Sequence, residues 1–307
     1  MDKKKRGPGR QRRRLWIQLI FTAVTNGYVA GFLKGRIYSG SLKNLCVPGL
    51  NCYSCPGALG ACPLGALQAT LGSRSYKFAF YVVGVLMVVG AFLGRVVCGF
   101  LCPFGLVQDL LHKIPLPRRW KKRGRLPGDR VLKWLKYVLL VLFCILLPLV
   151  VVDAVGQGSP WFCTYVCPSG TLMGSLPLLA ANEALRAAVG WLWTWKIALL
   201  VGLLLLSVFV YRPFCRYLCP LGAVYGLFNP IAFYRFRKEE SKCTSCGACR
   251  SACPFSIDVQ RHPNSPECIR CGRCLDACPH DALSTSLKSM CRKGAAPRPH
   301  DAARTEP

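Results

Sequence analysis

Residues 243–254 read "CTSCGACRSACP" and residues 268–279 read "CIRCGRCLDACP". Each run is C-x2-C-x2-C-x3-C-P, a spacing that holds two 4Fe–4S cubanes, with the fourth cysteine of each run reaching the other cluster. Three close thiolates cap one face of a cubane. The ligands expected for one cluster are therefore Cys243, Cys246, Cys249 and Cys278, and for the other Cys268, Cys271, Cys274 and Cys253. Pro254 and Pro279 turn the chain after the fourth ligand. Gly247, Ala248 and Gly272 leave room for backbone N–H groups beside cluster sulfur. Zinc sites usually pair two C-x2-C units instead, and disulfides are disfavoured in a reducing cytosol.

A second set of thiols lies in "CGFLCPFG" at 98–105 and "CRYLCPLG" at 215–222. Each C-x3-C-P-x-G follows an apolar run. Cys98, Cys102, Cys215 and Cys219 could complete one tetrahedral or cluster site between helices. Proline suits the first turn of a helix, and a helix N-terminus favours thiolate and a net-negative cluster. Free thiols at close helix crossings, or a redox dithiol pair, stay open as alternatives. A third set occupies "CVPGLNCYSCPGALGACPLG" at 46–65 and "CTYVCPSG" at 163–170. Cys52, Cys55, Cys62, Cys163 and Cys167 could converge there, with Cys46 nearby, to bind a cluster or to pair as disulfides in an oxidising compartment. Cys144 reads as a small buried hydrophobe and Cys291 as an incidental thiol.

These residues need elements to carry them. The chain is 52% hydrophobic with a formal charge of +28, which requires apolar and basic residues to be segregated. Membrane proteins segregate them; a nucleic-acid binder would not carry "YVLLVLFCILLPLVVV" at 137–152. Four segments approach the roughly 20 apolar residues that cross a bilayer: Leu15–Leu33, Tyr76–Val97, Trp134–Val152 and Trp191–Tyr211. Pro148 should kink the third. Trp191, Trp193 and Trp195 resemble an interfacial belt, with Lys196 snorkelling to headgroups. Basic residues number eight before Leu15, ten over 113–136 and six over 212–242, against five and two in the remaining loops. That asymmetry puts both termini in the cytoplasm, with the first span retained rather than removed as a signal. The four Cys-Pro-x-Gly motifs at 62, 102, 167 and 219 then alternate outer, inner, outer, inner, as two tandem halves would.

The expected fold is an α-helical membrane protein with a four-helix bundle of two tandem halves, followed by a small α+β two-cluster bacterial ferredoxin domain. The boundaries are a basic cytoplasmic head over 1–14, the transmembrane part over 15–235, the ferredoxin part over 236–290 and a disordered tail over 291–307. Centres of this kind move one electron at a time, and sites at both membrane edges would supply stations across the apolar core. A quinone could supply another. Asp153, Asp109 and His112 are candidate proton acceptors for a quinol, although ordinary interfacial placement accounts for each. Lys242, Arg250, Arg261, Arg270, Arg273 and Lys288 offer a docking face for an acidic soluble carrier.

The combination of "NCYSCPGALGACPLGALQ", "CGFLCPFG", "CRYLCPLGA" and the double cubane motif resembles the membrane polyferredoxins, with the NapH-type quinol dehydrogenase subunit and the NosR-type and CcoG-type proteins among them. The likeness runs over about residues 12–285. It implies 4Fe–4S binding and electron transfer between a quinone pool or cytoplasmic donor and a membrane or extracytoplasmic redox partner. The chain departs from several members in its outer motif at 163–167. A quinol-oxidising enzyme, and a maturation or regulatory protein that reduces metal or thiols of a client oxidoreductase, are the rival functions.

Overall fold

The computed structural model describes residues 9–73, 79–115, 128–153 and 157–287. Cys291, the expected disordered tail, residues 1–8 of the head and residues 116–127 of the basic loop lie outside them. The protein is mostly helical, with one two-stranded antiparallel pairing of Phe236–Lys238 with Leu283–Thr285 near its C-terminal end.

Among the described residues two helices are long and apolar enough to cross a membrane, Asp129–Val150 and Trp191–Phe209. Only 28% and 17% of their apolar windows is buried inside the protein. Core helices of a soluble protein would be mostly buried. Here Val138, Val141, Leu149, Val201 and Leu205 face outward. A shorter apolar helix runs Ala79–Leu93. It stops short of the expected Val97 because Gly94 takes a left-handed φ of +55°, the usual helix stop.

The stretch Leu15–Leu33 is not one continuous helix. Gly9–Thr25 ends and a separate Val29–Lys34 follows. The Thr25 hydroxyl donates to the Phe21 carbonyl at 2.8 Å and the Asn26 amide to the Thr22 carbonyl at 3.1 Å. Side-chain bonds of this kind compete with the helical ladder. Leu59 N–H then takes the Thr25 carbonyl at 2.9 Å, and Tyr28 N–H goes to the Gly57 carbonyl at 3.2 Å. The cysteine-rich loop is thus seated on the break.

Pro148 is met by a π-helical stretch, Leu140–Leu146, inside an otherwise continuous helix. Proline lacks an N–H and its ring crowds the carbonyl four residues back; a wider turn relieves both. Cys144 lies in this stretch, fully buried.

The two halves pair across the middle of the molecule. Trp191–Phe209 packs on Pro103–His112, and Asp129–Leu139 packs on Phe214–Leu218. The C-terminal unit is seated on the end of this bundle by buried polar groups. The Asn229 amide donates to the Ser265 and Cys268 carbonyls at 2.9 and 2.7 Å, and its oxygen accepts Arg95 N–H at 2.9 Å. Arg270 donates to the carbonyls of Leu93 and Asn229 at 3.1 and 2.5 Å. It is only 1% exposed, so it serves this seat and not the carrier-docking face. Glu267 accepts from fully buried Arg95 and Lys136 at 3.3 and 2.5 Å. Removing one member of a buried ion pair costs about 3–5 kcal/mol because the partners keep uncompensated charge. Glu267→Gln should therefore loosen the C-terminal unit, seen as faster release of that fragment in limited proteolysis; an unchanged cleavage rate would contradict the assignment.

Candidate metal centres

The two C-terminal cysteine runs have matching backbones. Gly247 and Gly272 take φ of +73° and +79° and open the helices Ala248–Ala252 and Arg273–Ala277. Ser245 and Arg270, each one residue before the second cysteine, have φ of 52° and 53°. Ser256 and Asp281, each three residues after the fourth cysteine, have 53° and 52°. Non-glycine residues rarely enter this region. Its recurrence at matched positions marks loops shaped for a purpose, since such turns gather N–H groups into the hollows that iron–sulfur sites use. Cys243, Cys246, Cys249 and Cys278 line one small pocket beside Lys238 and Lys242, and Cys246 is exposed. Cys253, Cys268, Cys271 and Cys274 form a second, deeper group. Burial pushes the Cys268 thiol up to about 12 and raises Cys274 further. Such thiols ionise only with strong compensation, which a bound metal provides.

The motifs in the bundle also pair. Cys98, Cys102, Cys215 and Cys219 are all buried and lie within electrostatic reach of one another. Cys102 and Cys219 each stand immediately before a helix, with the Gly105 and Gly222 N–H donating to their sulfurs at 3.4 Å. Two arginines cross between the motifs. Arg95, three residues before Cys98, donates to the Cys215 carbonyl at 2.9 Å. Arg212, three residues before Cys215, donates to the Cys98 carbonyl. Each guanidinium also lies in tight contact with the position a Cβ would take on the opposite motif's glycine, 3.1 Å at Gly105 and 3.2 Å at Gly222.

The outer group has the same design. Cys46, Cys52, Cys62, Cys163 and Cys167 line a cleft of about 470 Å³. Cys55 is not on it; its thiol reaches Asn26 at 3.6 Å instead. Lys196 does not snorkel away. It donates to the Cys163 carbonyl at 3.3 Å and lines the cleft together with Lys43. All described cysteines are free thiols.

Sequence reasoning missed Gln68 and Gln108, each six residues after the cysteine of a Cys-Pro-x-Gly. Gln68 donates to Cys163 sulfur at 3.4 Å and accepts Phe162 N–H at 3.0 Å. Gln108 donates to Cys215 sulfur at 3.2 Å and accepts Phe214 N–H at 3.2 Å. The Phe162 and Phe214 carbonyls in turn accept Cys167 and Cys219 N–H at 2.9 Å, five residues on. Aligning "CPLGALQ" with "CPFGLVQ" and "FCTYVC" with "FCRYLC" would have exposed the pattern.

The charge beside these sets suits a net-negative cluster held by four thiolates. Arg95 and Arg212 beside the inner set, and Lys43 and Lys196 beside the outer, supply opposing charge.

The inner set abuts the deeper C-terminal group. A Cβ on Gly99, next to Cys98, would lie 2.5 Å from the Ile269 carbonyl, next to Cys268. On the flank, Asp109 is gripped by Arg212 at 2.7 and 2.5 Å and by Arg14. Burial alone would raise its carboxyl, yet the two guanidiniums hold it at about 2. That makes Asp109 a counter-ion and removes it as a proton acceptor near neutral pH. His112 packs edge-on against Tyr211 at 5.4 Å, and Asp153 is exposed.

A family description for 4Fe–4S binding domains matches residues 78–123, 137–177 and 191–238. One for 4Fe–4S dicluster domains matches residues 230–290. The chain is 33% identical over 205 residues to an uncharacterized protein of Methanocaldococcus jannaschii, covering 66% of this chain and 76% of that one. It is 32% identical over 188 residues to the methylamine utilization ferredoxin-type protein MauN of Paracoccus denitrificans, with 58% and 57% covered. The ferredoxin-type protein NapH of Haemophilus influenzae is 29% identical over 203 residues, with 63% and 60% covered. The chain therefore spans less than two thirds of the length of MauN and of NapH. No solved structure matches.

The Asp109 cluster carries a pH signature. A carboxyl held below its unfolded value near 3.9 stabilises the fold above about pH 4 and loses that contribution as pH falls towards about 2. The difference in unfolding free energy between wild type and Asp109→Asn should shrink over that window; a constant difference would refute the pairing.

Proposed function

We propose that this chain, which belongs to the 4Fe–4S polyferredoxins related to NapH and MauN, is an electron-transfer subunit anchored in the cytoplasmic membrane by four spans. Its N-terminus and ferredoxin unit face the cytoplasm, a side favoured by the basic residues over 113–136 and 212–242. The start of the Gly9–Thr25 helix supports a shared side for both, because Arg10 pairs with Asp276 at 2.9 Å and Gln11 donates to the Cys271 carbonyl at 3.0 Å.

The ligand sets in this reading are Cys243, Cys246, Cys249 and Cys278 for the outlying cluster, and Cys253, Cys268, Cys271 and Cys274 for the seated one. Two further clusters sit in the bundle, on Cys98, Cys102, Cys215 and Cys219 and on Cys52, Cys62, Cys163 and Cys167. Bound clusters supply reversible one-electron storage; the chain's residues fix their positions and exclude water. The observation that carries the reading is the contact of Gly99 with the Ile269 carbonyl, which leaves no gap between the seated group and the inner set. Exposed Cys246, beside Lys238 and Lys242, gives a soluble acidic donor its port. Electrons then pass inwards towards a quinone or a redox partner at the far face.

Iron and acid-labile sulfide per chain test the reading on anaerobically purified protein. Two cubanes contain about eight irons, and the bundle sites should raise the total well above that. Cys98→Ser should abolish electron delivery beyond the ferredoxin unit while its EPR signals persist. A total of eight irons, or normal transfer in Cys98→Ser, would defeat the assignment of the bundle sites.

A further inference from the structure

Gln68 and Gln108 are both 0% exposed, on the helices Pro63–Leu71 and Pro103–His112. Burying a primary amide in an apolar bundle is costly unless its oxygen and both its hydrogens find partners. Here they do, and in the same way twice. The Gln108 oxygen accepts Phe214 N–H at 3.2 Å. Its nitrogen donates to the Phe104 carbonyl one turn back at 3.4 Å and to Cys215 sulfur at 3.2 Å. The Gln68 oxygen accepts Phe162 N–H at 3.0 Å. Its nitrogen donates to the Leu64 carbonyl at 3.2 Å and to Cys163 sulfur at 3.4 Å. A backbone N–H can only donate, so it must face the amide oxygen. That settles which end of each carboxamide is nitrogen, and the nitrogen then faces sulfur.

Both contacts cross from the first half of the chain to the second, and each reaches the first cysteine of a C-x3-C-P. The same offset in the second half is filled differently. Six residues after Cys167 and Cys219 stand Met173 and Tyr225. The Met173 sulfur takes the Ser169 hydroxyl at 3.5 Å, and the Tyr225 hydroxyl donates to the Pro48 carbonyl at 3.0 Å. From this offset, then, each bundle set receives its side-chain N–H on the second-half ligand alone. A clamp that only steadied Phe162 or Phe214 would need the amide oxygen and nothing more. Aiming the nitrogen at a ligand sulfur has a further consequence. A thiolate becomes more electron-rich when the site it holds gains an electron. An N–H on that sulfur therefore favours the reduced state over the oxidised one, and does so more strongly away from water.

We propose that Gln68 and Gln108 set the reduction potentials of the outer and inner bundle sites, each raising its own through one N–H···S bond to Cys163 or Cys215. The proposal rests on the reading that both sets carry iron–sulfur clusters. In the step these residues govern, the donor loses one electron and is oxidised by one, and the site gains it and is reduced by one. No bond forms or breaks and no proton moves. The reductant is dithionite in a titration, or the electron donor entering through the ferredoxin unit.

The test uses full-length protein in lipid nanodiscs, loaded anaerobically and labelled with ¹⁵N in the glutamine side-chain amide. In wild type, pulsed EPR of the reduced bundle signals should show a ¹⁵N coupling on each. Gln108→Leu should remove that coupling from the inner signal alone. It should also lower the inner midpoint potential in a dithionite titration, with the equilibrium constant for reduction falling several-fold and the outer site unmoved. Gln68→Leu should do the converse. The wild-type coupling decides the case even where a leucine variant fails to hold iron. Bundle signals without ¹⁵N coupling, or loaded variants with wild-type potentials, would overturn the tuning role and leave the sites standing. Iron of about eight per chain, the content of two cubanes, would remove the bundle sites and this role together.

Discussion

Charge compensation inside an apolar bundle governs this structure. A thiolate set or a net-negative cluster away from water is costly unless cations and N–H donors face it. Arg95 and Arg212 supply the cations at the inner set, and each does so across the interface between halves. Neither half alone can make the site. Each arginine reaches a carbonyl and lies close to the Cβ position of a glycine on the other half. Gly105 and Gly222 therefore let the partner's guanidinium come close, and neither has a left-handed backbone angle that calls for glycine. The arginines are themselves anchored, Arg95 on Glu267 and Arg212 on Asp109. Those anchors belong to the ferredoxin unit and to the helix after the inner motif, so the surroundings of the inner thiols, the domain seat and the bundle pairing share one polar network.

The same solution recurs at the outer set with different cations. Lys43 and Lys196 replace the arginines, while the glutamine–phenylalanine–cysteine arrangement is retained atom for atom in kind. The π-type turn that ends in Cys167 or Cys219 widens the backbone just before the ligand. Such turns displace a side chain from the helical register and are frequent at functional positions. Repetition of a costly local geometry at two ends of one bundle argues for a shared task.

Much of this was legible in the cysteine spacing. The double C-x2-C-x2-C-x3-C-P runs carry their chemistry locally, and the four Cys-Pro-x-Gly motifs mark two halves. Three features were not legible, each because it depends on packing. Leu15–Leu33 is apolar enough to suggest one span, but nothing in its period announces that Gly57 and Leu59 will take its backbone groups near Thr25. Lys196 follows three tryptophans and looked interfacial; its role is set by the Cys163 carbonyl opposite. Cys55 sits in the same run as Cys52, and only the fold turns it to Asn26. Gln68 and Gln108 were readable in principle, as residues at one fixed offset from a repeated motif.

The helix break near Thr25 connects these points. A straight first span would have filled the space beside the motifs with side chains along its whole length. Ending the helix at Thr25 frees its carbonyls for Leu59 N–H and the Asn51 amide. That opening admits irregular backbone to the interior, where it is tolerated only if its polar groups find partners. The Pro48 carbonyl finds the Tyr225 hydroxyl, and Asn51 N–H finds the Gly49 carbonyl at 3.0 Å. The least regular part of the bundle thus joins the backbone beside Cys62 to the turn at Cys102, through Val47 N–H on the Ala61 carbonyl and Gly49 against the Leu101 carbonyl, and the loss of one continuous helix is what admits it.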